Sequence, residues 1–336
     1  MAARSPRRSE DQKAAPSAAS EQPDTGVVVG VDLGGTRLRV GVVSPHGTIL
    51  CGATVPSSTG LPAAANPAYL AELIDGLLAE TGQGADRLRA IGIGVSGPVD
   101  VVTGRIDNPH TLPGWSGIDL RGTLSARFGV EVRSENDAAA AALGEYWCGG
   151  GQGSERLVMV TIGTGIGGAL VAGGRIYRGA AGFHPELGHQ IVDPAGPRCY
   201  CGTAGCWEQL VSGPAIARAR AWLRPDPDGE GEPDRAAELF AAARLGDPDA
   251  AHLVGRIGRY LGLGLVNVVA FYAPDRVVLG GGVADHFDLL EPGIREALDP
   301  LGHYHPITRM TLHRSELAES AGILGAAYMV LPGAPR

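Results

Sequence analysis

Three cysteines within eight residues, with a histidine ten positions before the first, form the densest group of ligating side chains: His189-x9-Cys199-x-Cys201-x4-Cys206. One imidazole and three thiolates complete a closed tetrahedral zinc site, the kind that pins a loop and leaves no position open for catalysis. Disulfide frameworks come as even sets in small secreted chains, whereas the five cysteines here, counting the distant Cys51 and Cys148, are an odd set. The other reading is a loop of free thiols in a reducing compartment. Flanking the cluster are Glu186, three before His189, and Glu208, two after Cys206. Carboxylates oriented by a metal-fixed loop suit a polyhydroxylated ligand, because each oxygen accepts hydrogen bonds from hydroxyls. A solvated surface acid is the plainer reading of either.

A second set of residues suits phosphate. Glycine numbers 52, and it concentrates in turns at Gly34-Gly35-Thr36, at Thr161-Ile162-Gly163-Thr164-Gly165 and at Gly280-Gly281-Gly282. Such turns let backbone N–H groups converge on phosphate oxygens. Asp32, just before the first turn, could hold Mg²⁺, which takes one or two carboxylates, waters and substrate phosphates; it could equally bond its own turn. In "SENDAAAAALGE" the pair Asn136-Asp137 falls at a strand-to-helix transition. An aspartate there is either a helix N-cap or a general base for an attacking hydroxyl, as in kinase-type phosphoryl transfer.

Composition removes the competing chemistries. Of the 28 basic residues 27 are arginine, and the single lysine, Lys13, lies in a polar N-terminal stretch. A P-loop, which needs its lysine, and a Schiff-base lysine are excluded. The strings Gly163-x-Gly165-x-x-Gly168 and Gly92-x-Gly94-x-x-Gly97 match the dinucleotide fingerprint in letters only. Strand-like "ALVAGGRIY" follows one and Pro98 the other, where a helix is required. A net charge of −8, no basic run beyond the first few residues and 5% aromatics argue against nucleic acid as partner. No apolar h-region follows the basic N-terminus, and the uncharged run 157–174 carries six glycines and reads as a hairpin, not a membrane span. A cytoplasmic protein with no membrane partner is expected.

The elements that must position these residues alternate between strands and helices. "GVVVGVDLGGTRLRVGVV" and "LVMVTIGTGIGGALVAGGRIY" are both hairpin patterns, and Thr161 stands 129 residues after Asp32 in the same relation to its glycine turn. Helices are expected over 67–80, 213–224, 235–272 and 319–330, with a short one after "NPHTLPGWSGIDL" and an alanine-rich one after "VEVRSEN". The segment 224–234 reads as an acidic Pro/Gly loop. Cys51 and Cys148 are expected to be buried as small apolar residues.

Taken together, "VDLGGTRLRVGVV", "GIGVSGPVD", "ENDAAAAALGE", "TIGTGIGGALVAGGRIYRGAAG", "ELGHQIVDPAGPRCYCGTAGCWEQLVSG" and "LGGGVA" resemble the ROK family (repressor, open reading frame, kinase), from about Val27 to about Ala327. The resemblance implies an α/β fold of two lobes, the duplicated ribonuclease H-like fold of the actin-like ATPases, with a zinc-stabilised loop. It implies a disordered tail (1–25), a small lobe (26–136) completed by a C-terminal helix (319–332), and a large lobe (137–318) with the zinc loop and adenosine site. It implies an ATP-dependent hexose kinase acting on a sugar 6-hydroxyl, with D-glucose first. Another hexose, an amino sugar or a cyclitol is the alternative, and a non-catalytic sugar-sensing regulator the alternative of another class. Carried over residue by residue, Asp137 would be the base. Gly97, Asn108, Asn136, Asp137, Glu186, His189 and Glu208 would contact the sugar. Asp32, Gly34, Gly35 and Thr36 with Thr161, Gly163, Thr164 and Gly165 would hold Mg-ATP, and Gly280, Gly281 and Gly282 would lie by the adenosine. His189, Cys199, Cys201 and Cys206 would ligate structural zinc. A homo-oligomer, dimer or tetramer, is implied. The chain departs from the pattern at Ala139, where members often have Asn, and at "GFHPELGH", where many glucokinases have "GEIGH" after small residues, a departure that bears on sugar preference; His184 is a further candidate pocket contact. Its tail is too short for the winged-helix domain of the family's repressors.

Overall fold

The β-branched run after residue 26 folds as β1 (Val27–Leu33), turns through Gly34-Gly35-Thr36 and returns antiparallel as β2 (Arg37–Val43). A third strand, β3 (Ile49–Pro56), extends the meander; its register shifts by one residue at Val42/Val43, and its alternating burial marks it as the sheet edge. The computed structural model describes residues 26–334 apart from 59, 83, 98, 101–102, 183, 224–234 and 304–309. The expected N-terminal tail with its Lys13, the acidic segment 224–234 and Pro98 lie outside the described residues.

On the other side of β1 the strands run parallel and therefore need crossovers. After α1 (Asn66–Glu80) comes β4 (Leu88–Val95), and after α2 (Leu120–Phe128) comes β5 (Glu131–Asn136), giving the order β3-β2-β1-β4-β5. Following α3 (Asp137–Cys148), the plan repeats. The strands β6 (Arg156–Ile162), β7 (Ile166–Ala172) and β8 (Arg175–Ile176) form an antiparallel meander. Beyond α4 (Glu208–Val211), α5 (Gly213–Leu223), α6 (Arg235–Arg244) and α7 (Pro248–Tyr272), β9 (Arg276–Gly280) pairs parallel with β6. Then α8 (Phe287–Leu298) leads to β10 (Thr311–Arg314), parallel to β9, and α9 (Ala321–Tyr328) ends the fold. The second order, β8-β7-β6-β9-β10, is the first one over again. The repeat read from the two glycine hairpins is thus a repeat of whole sheets, and it brings Asp32, beside Gly94, and Thr161, beside Gly280, to equivalent registers.

Two helix expectations are corrected. The helical run 235–272 breaks between α6 and α7, because Gly246 takes a left-handed φ of +85° and Asp247 caps the new helix, accepting from the N–H groups of Asp249 and Ala250. Pro248 has no N–H to continue the earlier helix and is preorganised for the first turn of the next. The last helix is Ala321–Tyr328, shorter than 319–330, with Ala318–Ser320 a tight 3₁₀ turn before it. Cys51 and Cys148 are half-buried and not in the core; Cys51 sits on the edge strand, where its thiol bonds the Leu77 carbonyl at 3.3 Å.

Each sheet has its own apolar core. One gathers around α1, α2 and the buried Trp115; the other around α7, α8 and the buried Trp207. Along α7 the buried residues Leu253, Ile257, Leu261, Leu265 and Val268 recur at helical spacing. That helix has the length and apolar character of a membrane span, but this face belongs to the core of the second sheet.

Between the sheets lie α3 and α9, which share a third apolar cluster drawn from both sheets. Their approach is very close. A methyl group on Gly92 of β4 would collide with the Ala326 carbonyl of α9, and one on Gly325 of α9 would collide with the Ala140 carbonyl of α3. Part of the glycine excess therefore serves backbone-to-backbone packing of this middle layer, and not ligands.

Candidate active site

The two glycine hairpins and the middle layer enclose a cleft of about 600 Å³. The first sheet supplies Asp32, Gly34 and Thr36; the second supplies Thr161, Gly163, Thr164 and Gly280, Gly281, Gly282. Asp137 and Ala138 at the start of α3, together with Gly322 of α9, lie along its wall. Gly35 and Gly165 are not among the lining residues. Gly165 packs against the Glu208 carboxylate. Gly281 has φ +84° and packs so tightly on Ile162 that only glycine fits the turn.

Asp32 sits directly across the hairpin from Arg39, which reaches it at 3.2 Å. Burial pushes the Asp32 carboxyl above its ordinary range, outweighing the arginine's charge. Arg39 also contacts Glu319 at 3.0 Å. A desolvated carboxylate at the mouth of a phosphate-sized turn is the donor chemistry that Mg²⁺ takes.

Asn136, and not Asp137, is the N-cap of α3: its Oδ1 accepts from the N–H groups of Ala138 at 3.0 Å and Ala139 at 3.2 Å. Asp137 is the first helical residue, so its carboxylate is released toward the cleft. It accepts from Ala138 N at 2.8 Å and from the Ser96 hydroxyl. Burial, reinforced by the nearby charge of Asp32, pushes its pKa up to about 6 in spite of those bonds. Such a group is ionised at pH 7 yet basic enough to take a proton.

The residues expected at the sugar fall into two groups. In one, Asn136 Nδ2 donates to the Gly97 carbonyl at 3.4 Å, and buried Asn108 donates to the Ser96 carbonyl at 2.8 Å while accepting from Thr111 N at 3.1 Å. Gly97 holds a φ of +81°, with the Asn108 amide against its Cα. In the other group Glu186 is exposed at the start of a 3₁₀ turn ending at His189, and Glu208 is buried, its Oε2 accepting from Ile166 N at 2.9 Å. The Tyr200 hydroxyl bonds Glu208, and its ring stands edge-on to His189.

His189, Cys199, Cys201 and Cys206 converge, with their ligand atoms within 4.8 Å of one another. The Cys201 and Cys206 sulfurs are 3.5 Å apart, and Cys199 Sγ is 3.6 Å from His189 Nδ1. Zinc–sulfur bonds of about 2.3 Å imply tetrahedral edges of about 3.8 Å, so the donor set fits that metal in kind and in spacing. All five cysteines are free thiols.

Residues not singled out in the sequence join these groups. Glu135, immediately before the Asn136-Asp137 pair, is 3% exposed and bonds both Arg178 and His184. A charged residue inside a strand is a signal that could have found it. Arg37 and Arg39 in the cleft wall give no signal, because an alternating strand carries arginines on its solvent side as a matter of course, and Ser96 meets Asp137 only through the fold.

A sequence model of the ROK family matches residues 28–332. Glucokinase from Streptomyces coelicolor is 35% identical over 316 residues, covering 90% of this chain and 96% of its own. Among solved structures, ROK hexokinase from Thermus thermophilus superposes with a TM-score of 0.76 at 37% identity, over 90% of this chain and 96% of that one. A ROK family glucokinase from Streptomyces griseus in complex with glucose and AMPPNP superposes with 0.72 at 33%, over 90% and 98%.

Proposed function

The chain belongs to the ROK family, with the α/β fold of the actin-like ATPases, and from that premise we propose that it is an ATP-dependent hexose kinase transferring the γ-phosphoryl group to a sugar 6-hydroxyl, D-glucose above all. The observation that carries this reading is the position of Asp137: a basic, desolvated carboxylate on the wall of a cleft edged by glycine turns from both sheets.

In this reading Asn136, Gly97 and Asn108 hold one side of the sugar ring and Glu186, His189 and Glu208 the other. Asp137 accepts the proton of the 6-hydroxyl as its oxygen attacks the γ-phosphorus and ADP leaves. The backbone N–H groups of the Asp32–Thr36 and Thr161–Gly165 turns cradle the phosphates, and Gly280–Gly282 lie by the adenosine. Asp32 would hold Mg²⁺, which neutralises charge on the β- and γ-phosphates when bound. His189, Cys199, Cys201 and Cys206 would hold a zinc ion whose work is to fix the loop that bears Glu186 and Glu208. Two lobes, 26–136 with the C-terminal helix and 137–318, close over the sugar and exclude water, suppressing ATP hydrolysis. We place the enzyme in the cytoplasm as a homo-oligomer, dimer or tetramer.

A second reading, a kinase for another hexose, an amino sugar or a cyclitol, is favoured by one feature: in "GFHPELGH" the His184 side chain is anchored on Glu135, in a loop where related glucokinases carry small residues. An ATP-coupled panel of hexoses, amino sugars and cyclitols decides between them. Glucose should give the highest kcat/KM and a 6-phosphate product. Turnover of no sugar at all would overturn the kinase in favour of a sugar-sensing regulator.

A further inference from the structure

Glu135 is a buried carboxylate that the reaction as described does not use. Its side chain is 3% exposed, at the end of β5, where the chain passes into Asn136 and Asp137. Both oxygens are engaged by one loop. Oε2 takes the Arg178 guanidinium, and Oε1 takes His184 Nε2 at 2.8 Å while also accepting the Asn136 N–H at 2.9 Å. Arg178 and His184 precede Glu186 and His189 on the same loop. The imidazole has no second anchor: His184 Nδ1 is buried without a hydrogen-bond partner among the described residues. Burial raises the cost of ionising Glu135, but His184, Arg178 and the Asn136 N–H together outweigh it and hold its carboxyl below the usual range. The group therefore stays charged, and a buried charge is tolerated only while its partners stay in place.

Resting on the kinase reading, we infer that Glu135 is a positioning residue, a clamp through which the loop bearing Glu186 is held in register with Asn136 and Asp137. One carboxylate touches the backbone N–H of Asn136, next to Asp137, and two side chains of the loop that bears Glu186, so it sets the distance between the two halves of the sugar site before any sugar arrives. Preorganisation of this kind acts on substrate binding and alignment, and leaves the nucleotide side untouched.

The test uses the full chain and three variants: Glu135→Gln, Arg178→Ala and the double variant. Arg178 is one-third exposed, so its truncation leaves the fold in place even if Glu135→Gln disturbs it. Hydrogen exchange over residues 177–182 and 184–190 of the sugar-free protein should accelerate at least tenfold in each. Sugar KM should rise at least tenfold with ATP KM within twofold of wild type, and the double variant should be no worse than the poorer single one. Exchange and sugar KM both within twofold of wild type, beside a lowered Tm, would overturn the clamp and leave an ion pair that only stabilises the fold. Should the wild type phosphorylate no sugar, the kinase reading falls and the exchange result alone decides: unchanged protection refutes the clamp, faster exchange upholds it.

Discussion

Replacing Asp137 by asparagine should destroy activity and strengthen the fold, and both effects follow from the same burial. The carboxyl is displaced from an ordinary 3.8 to about 6. A raised pKa means that folding favours the protonated form. The stability this provides is fully present below pH 4 and is lost as pH rises through 6. At about 1.4 kcal/mol per pH unit of displacement, the ionised group costs the native state ~3 kcal/mol at pH 8. The amide has nearly the same shape, can still meet Ser96 and the Ala138 N–H, and carries no charge. Asp137→Asn should therefore recover up to ~3 kcal/mol at pH 8 and almost nothing at pH 4. With an unfolding entropy of ~2.1 cal/mol/K per residue over 336 residues, the gain in Tm is ~4 °C. The same variant should lose about 10²–10⁴-fold in kcat if the side chain is the base, while wild-type kcat/KM should fall tenfold per pH unit below about 6. Differential scanning calorimetry at the two pH values and a coupled ADP-release assay measure the pair. Near-normal turnover would remove Asp137 as base, and an equal Tm at pH 8 would refute the desolvation argument.

Two further outcomes are expected. Metal analysis of the purified chain should find zinc near one per chain, and Cys201→Ser should lose the metal and the order of the loop; a protein purified without zinc and still fully folded there would refute the site. Glu145 is wholly buried in α3 and accepts from Gly150 N at 2.8 Å, Ser315 Oγ at 2.5 Å and Leu317 N at 3.1 Å. Glu145→Ala strands those donors and should cost about 3 kcal/mol by denaturant unfolding, with ATP KM rising because Ser315 lines the cleft.

How much was legible depended on whether a feature is local. The hairpins, the Asn136-Asp137 transition and the crowded cysteines announce themselves within a few residues, through alternation, turn chemistry and ligand spacing. The break at Gly246-Asp247-Pro248 was equally local and carries its own stop and start signals, yet the apolar period running across it masked them. From its local sequence Asp137 could be either a helix cap or a base, and only the backbone geometry, which gives the cap to Asn136, decides between them.

What the sequence by itself determined is the kind of chemistry: carboxylates, glycine turns and a thiolate cluster in place of lysine, in two repeated halves. Only the tertiary structure decided how those groups act on one another. The displaced pKa of Asp137 arises from burial and from Asp32, 105 positions away in the chain, and Glu135 acquires its partners from a loop more than 40 residues on. Desolvation and charge coupling depend on distance in space, and distance in space is what a linear pattern does not contain.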